Sequence, residues 1–231
     1  MSMKKQGFTL GEVVTTLAIV GVIVALTLPL LLGDIASKHR MVTLRNTIGN
    51  LNYAVQTFMQ KHRINDMIDF AATNGEIDFR NYLSIKNEVA DSCIERTASG
   101  GCQPHNVMGD SSSNLLPLNA GFGNIYILEN NVLIAQRSFT IDGNKVFQIF
   151  IDVNGKDKPN TIGIDAFIAH MYKSNVRDDD GNIIIRAGDI TGYLPGKKTD
   201  ADLKTLCESG DGIACYTLAE KNDFDPDYIN K

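Results

Sequence analysis

Apolar positions change their spacing three times along this chain, and each change predicts a different element. From Phe8 to Leu32 almost every residue is apolar, and Glu12 is the one ionisable group in the run. A helix of that length is about 37 Å long at ~1.5 Å per residue, enough to cross a hydrocarbon core of roughly 30 Å. Beyond it Met41, Leu44, Ile48, Leu51, Val55 and Phe58 recur in alternating steps of three and four, the mark of an amphipathic helix with one apolar stripe. The pattern predicts one helix from Phe8 to about Lys61, roughly 80 Å long, apolar all round at first and one-sided afterwards.

After this helix the periodicity lapses. Between Arg63 and Gly121 the turn signals Asn74-Gly75 and Gly100-Gly101 and the polar run Gly109 to Asn114 break any long element, so the segment reads as a connector with short helices. From Asn124 the period becomes two. Asn124 to Leu128, Val132 to Arg137 and Lys145 to Val153 are β-branched or aromatic runs separated by Glu129-Asn130-Asn131 and Asp142-Gly143-Asn144, which predicts antiparallel hairpins. Ile183-Ile184-Ile185 follows another turn signal, Asp178-Asp179-Asp180-Gly181-Asn182. The expected fold class is therefore α+β: a long N-terminal helix packed on an antiparallel sheet, with the stripe covering one face.

Composition sharpens the topology. Two lysines, Lys4 and Lys5, precede the apolar run and by the positive-inside tendency hold the N-terminus in the cytoplasm, sending the remainder outward. All four cysteines lie on that outward side, as Cys93 with Cys102 and Cys207 with Cys215. An even count in an exported region suggests disulfides; near neighbours close the smallest loops, with the other two connectivities open. Zinc normally takes cysteines two to four residues apart, closer than these pairs stand. A secretory signal peptide would have a shorter apolar core, a small-x-small cleavage site and no acid near its start. An acid inside an apolar helix costs on the order of 2.5–3.5 kcal/mol near a bilayer centre, so it is normally kept for a partner.

Lys4-Lys5-Gln6-Gly7-Phe8-Thr9-Leu10-Gly11-Glu12-Val13-Val14 resembles the prepilin peptidase recognition segment of type IV pilins and type II secretion pseudopilins. The resemblance implies cleavage after Gly7, N-methylation of the new amine on Phe8, and a register role for Glu12, which would meet the N-terminal amine of a neighbouring subunit. It implies as partners the prepilin peptidase, other subunits of a helical filament, and the inner membrane before assembly. Gly21 and Pro29 would interrupt the helix as they do in many pilins, Pro29 by removing one backbone donor. The organisation expected is a leader over 1–7, a membrane and filament-core half over 8–32, an amphipathic half over 33–62, a variable connector over 63–123 and a β head over 124–231. Loss of the leader leaves 20 basic against 27 acidic residues, a balance that argues against general nucleic-acid binding.

Asp152 to Phe167 resembles a stretch near the C-terminal end of many pilin-like proteins, where major pseudopilins often bind calcium. Asp152, Asn154, Asp157 and Asp165 offer the hard oxygen ligands calcium takes, but Lys156 and Lys158 intrude, and side-chain turn capping explains the same residues without an ion. The expectation is a structural turn and no cofactor. The tail around Cys207 and Cys215 resembles the C-terminal disulfide loop of pilins and is expected to be weakly patterned and pinned by its bridge. His39, His62, His105 and His170 form no spaced metal or nucleophile set, so no enzyme is expected. Lys197-Lys198 is a small basic spot of the kind usually solvated. The functional expectation is a filament subunit; the alternative is a membrane-anchored extracytoplasmic adhesin or ligand- or DNA-binding module that does not polymerise.

Overall fold

Thr9 starts the first helix. Its hydroxyl accepts from Glu12 N at 3.3 Å, while Glu12 Oε2 accepts from Thr9 N and from Thr9 Oγ1, both at 2.8 Å, a reciprocal capping box. The helix, α1, runs from Leu10 to His62. It ends in a Schellman motif: Arg63 turns left-handed at φ 53°, Arg63 N donates to Gln60 O at 3.1 Å and Ile64 N to Met59 O at 3.0 Å. In the computed structural model, residues 9–67, 79, 81–88, 106–109, 112–117, 125–141, 143–155, 161–192 and 198–226 are described. Helix is continuous through Gly21 and Pro29, with no melted turn at either. Proline deletes one bond from the ladder, and the bonds on either side are enough to propagate a helix already nucleated.

The chain divides into two units, 1–39 and 40–231. In the second, the stripe is buried as its spacing requires: Met41, Leu44, Ile48, Leu51, Val55 and Phe58 all lie in the core, with Leu44, Leu51 and Val55 completely covered. Sheet residues, among them Ile134, Phe147, Ile149, Ile151, Phe167, Ala169 and Met171, belong to the same buried cluster. Asn52 Oδ1 also accepts from Ile190 N at 3.2 Å, a polar tie within this packing.

Ten strands are described: β1 (Ile85–Glu88), β2 (Asn106–Gly109), β3 (Ser112–Pro117), β4 (Ile125–Leu128), β5 (Leu133–Ile141), β6 (Asn144–Asp152), β7 (Ala166–Tyr172), β8 (Val176–Arg177), β9 (Ile183–Ile185) and β10 (Ile190–Thr191). The main sheet has the order β1-β4-β5-β6-β7-β10, and every pair in it is antiparallel. Two excursions interrupt it, the β2–β3 hairpin before β4 and the β8–β9 ribbon between β7 and β10. Its hairpin turns fall where the sequence signals them, with Asn131 at φ 67° and Gly143 at φ 78°.

Two features depart from expectation. The stretch read as a connector with short helices supplies β1, which pairs with β4, so the sheet begins before residue 124. The tail is two helices, α2 (Asp200–Glu208) and α3 (Gly212–Lys221), rather than a weakly patterned loop. Thr199 and Asp202 form a capping box for α2, and the Asp211 side chain caps α3. Leu203, Ala214, Cys215, Tyr216, Leu218 and Ala219 are buried in the core cluster, so the tail carries enough apolar surface to hold itself down once it is helical.

Candidate functional site

The apolar half of α1 is defined by exposure. Every described side chain from Thr9 to Ile35 is exposed, with Leu10 at 82% and Leu26 at 70%. The helix is long and apolar enough to cross a membrane, with a mean hydropathy of 2.5 in its most apolar window. Even its hydroxyls are satisfied within the helix: Thr15 donates to Gly11 O at 2.8 Å, Thr16 to Val13 O at 2.9 Å and Thr27 to Ile23 O at 2.9 Å. Such back-bonding lets a polar side chain sit in hydrocarbon without an unmade hydrogen bond. Glu12 is left as the ionisable group of the run, with Oε2 engaged by Thr9. A carboxylate offers about four acceptor sites, so capping does not exhaust it. Gly7 and Phe8 lie outside the described residues.

The acidic turn after β6 is built by its own carboxylates. Asp152 and Asp165 are fully buried; Asp152 Oδ1 accepts from Asn154 N at 3.2 Å, and Asp165 Oδ1 from Thr161 N at 2.6 Å. Backbone bonds complete the turn, with Val153 N donating to Asp165 O at 2.8 Å. Asp157 lies outside the described residues. Among the described residues no three His, Cys, Asp or Glu side chains are grouped so as to hold a metal ion.

Cys207 and Cys215 form a disulfide that joins α2 to α3. Both sulfurs press on Gly163, where an added Cβ would stand 2.8 Å from Cys215 Sγ and 3.0 Å from Cys207 Sγ, and where φ is +83°. Gly212, at the start of α3, is similarly close to Ile168 of β7. The other end of α3 is tied by Glu220, whose Oε2 accepts from Gly192 N at 2.9 Å and Thr191 Oγ1 at 3.1 Å. Burial pushes the Glu220 carboxyl above its ordinary range, against the opposing pull of these donors, and burial likewise raises the Tyr216 phenol beside it. Cys93 and Cys102 lie outside the described residues.

A polar row crosses the centre of the sheet. Arg137 Nε donates to Gln148 Oε1 at 2.6 Å, and Gln148 Nε2 stands 3.5 Å from His170 Nε2 on β7. Burial holds the Arg137 guanidinium below its ordinary range. His170 is fully buried, whereas His39 and His62 are exposed on α1. His105 and Lys197 lie outside the described residues; Lys198 is exposed.

No protein-family model, curated protein or solved structure matches this chain. Its reading therefore rests on its own residues. Those that sequence reasoning missed were nonetheless signalled: Thr9-x-x-Glu12 and Thr199-x-x-Asp202 both have the spacing of a capping box.

Proposed function

We propose that this chain is a structural subunit, pilin, minor pilin or pseudopilin, of a type IV pilus or type II secretion filament, with no catalytic role of its own. The observation that carries the reading is the division of α1. Its first half leaves apolar side chains exposed, and its second half buries a stripe in the core of an antiparallel sheet domain. A helix of this kind can be held by lipid first and by like helices afterwards, because both offer the same apolar surroundings. In this reading prepilin peptidase cuts after Gly7, Phe8 is N-methylated, and the head lies outside the inner membrane. Glu12 caps its own helix through Oε2 and meets the amine of a neighbouring subunit with its remaining acceptor capacity. That pairing offsets two desolvation costs and selects one axial stagger.

The test is to coexpress the chain with a prepilin peptidase and sequence the mature N-terminus. A start at Phe8 is expected, and Glu12→Ala is expected to leave cleavage intact while reducing shed filaments at least about tenfold, in keeping with the cost of an unpaired partner charge. An uncut chain, or one cut elsewhere, overturns the reading. Normal cleavage with indifference to Glu12→Ala favours a simple anchor carrying an adhesin or ligand-binding head.

A further inference from the structure

Among the described residues the β8–β9 ribbon is largely exposed. Ile183 and Ile184 are 44% and 48% exposed, among the few large apolar side chains uncovered beyond α1 in the described residues. At its tip Asp178 is consumed by the turn: its Oδ1 accepts from Asn182 N at 2.7 Å and its Oδ2 from Asn182 Nδ2 at 3.2 Å. Arg177 is likewise engaged, donating to Gly181 O at 2.7 Å. Asp179 and Asp180 remain, both exposed, as two adjacent carboxylates on a hydrogen-bonded turn.

At the base of the same ribbon lies an open cleft of about 740 Å³, lined by Gln60, Arg63, Asn65, Asn175, Ile183 and Arg186 among others. Arg63 and Arg186 are exposed, and neither guanidinium has a partner among the described residues. The cleft's own acid, Asp189, is turned to the backbone, accepting from Arg186 N at 3.2 Å. Two guanidiniums flanked by carboxamides are suited to carboxylates, which they can bind through paired N–H groups. Within one chain Asp179 lies in the turn and Arg186 follows β9, so the three residues of β9, at about 3.3 Å each, keep these two positions roughly 10 Å or more apart.

We propose that the Asp179-Asp180 tip of one copy docks into the Arg63-Arg186 cleft of the next. The inference rests on the filament reading and adds a defined contact between heads. Tip and cleft are different surfaces, so the contact is heterologous and can repeat from copy to copy, as a filament requires. Exposed Ile183 beside the cleft supplies apolar area, and the charges set register and suppress wrong pairings.

The test uses the purified full-length chain in detergent carrying Asp179→Cys and Arg186→Cys, with a mild oxidant added. A ladder of cross-linked oligomers is expected on nonreducing gels, since the two positions are too far apart to bridge within one chain. In that background Asp180→Lys alone or Arg63→Glu alone should lower the ladder about fivefold or more, and the two together should restore it, because charge reversal at both surfaces recovers the attraction. Absence of a ladder, or a ladder indifferent to the single reversals, overturns the inference. All the altered residues are exposed, so loss of folding does not imitate the result. Sequencing the N-terminus of the coexpressed chain reads the filament proposal separately: a Phe8 start without the ladder removes this contact and leaves that proposal standing.

Discussion

The Thr191 hydroxyl donates to Glu220 Oε2 at 3.1 Å, fastening the last turn of α3 to β10, 29 residues earlier in the chain. Gly192 N donates to the same oxygen at 2.9 Å, and Thr217 Oγ1 donates to Gly192 O, so one short segment is held from both sides.

Burial of this carboxyl makes stability depend on pH. The folded-state pKa of Glu220 is raised above its unfolded value, chiefly by burial. The folded protein then binds the proton more tightly, so the contribution is full below the unfolded pKa and is lost as pH rises through the folded one. Glu220→Gln, which keeps an acceptor and cannot ionise, should gain in melting temperature relative to the parent as pH rises across that window. A constant difference between the two would show that the carboxyl is not coupled to folding.

Lys173 gives the opposite slope at alkaline pH. Its ammonium lies 3.9 Å from the centre of the Phe147 ring and donates to Ser138 Oγ at 2.9 Å, yet burial, with Lys145 nearby, holds its pKa below the ordinary value. The folded state binds fewer protons than the unfolded state between the two pKa values, so this group favours folding increasingly as pH rises through that interval. Chemical denaturation of Lys173→Met and the parent, followed between neutral and strongly alkaline pH, should show the slope in the parent and not in the variant.

Replacing Cys207 and Cys215 by serine should cost about 2.5 kcal/mol, the loop entropy of a bridge spanning eight residues. Gly163→Ala should be destabilising for two reasons, its φ of +83° and the sulfurs against its α-carbon. Combining the changes should cost less than their sum, because cysteine removal relieves the contact but not the backbone strain. Strict additivity in thermal melts would place the disulfide away from Gly163.

On α1 itself, Leu51→Ala removes a fully buried side chain and should cost about 2–5 kcal/mol. Val42→Ala, on the exposed side, should stay within about 0.5 kcal/mol. Denaturant midpoints of the two variants check the assignment of the stripe.

The long helix and its two halves were legible in the sequence because each is a local periodicity: an unbroken apolar run, then steps of three and four from Met41 to Phe58. The hairpin turns around Asn131 and Gly143 were legible for the same reason, since positive φ selects a few residue types. The candidate segment at Thr9 and Glu12 was visible as a motif, although the capping role of the pair was overlooked in favour of a distant partner for the acid.

Other features are decided by contacts between residues remote in sequence. β1 has no pattern of its own and is a strand because β4 offers it an open edge. Gly163, Gly192 and Gly212 matter because disulfide, Thr217 and Ile168 come close to their α-carbons, and no local pattern encodes that approach. Asp179 and Asp180 read along the chain as part of a turn signal, and no local pattern places Arg63 beside Arg186. The sequence by itself determined where the helix begins, where it turns amphipathic and where the hairpins bend, because backbone preference and periodicity are local. Only the tertiary structure decided that the tail folds as helices on β7, that a glycine seats the disulfide, and that two arginines share a cleft, because those depend on which surfaces the sheet brings together.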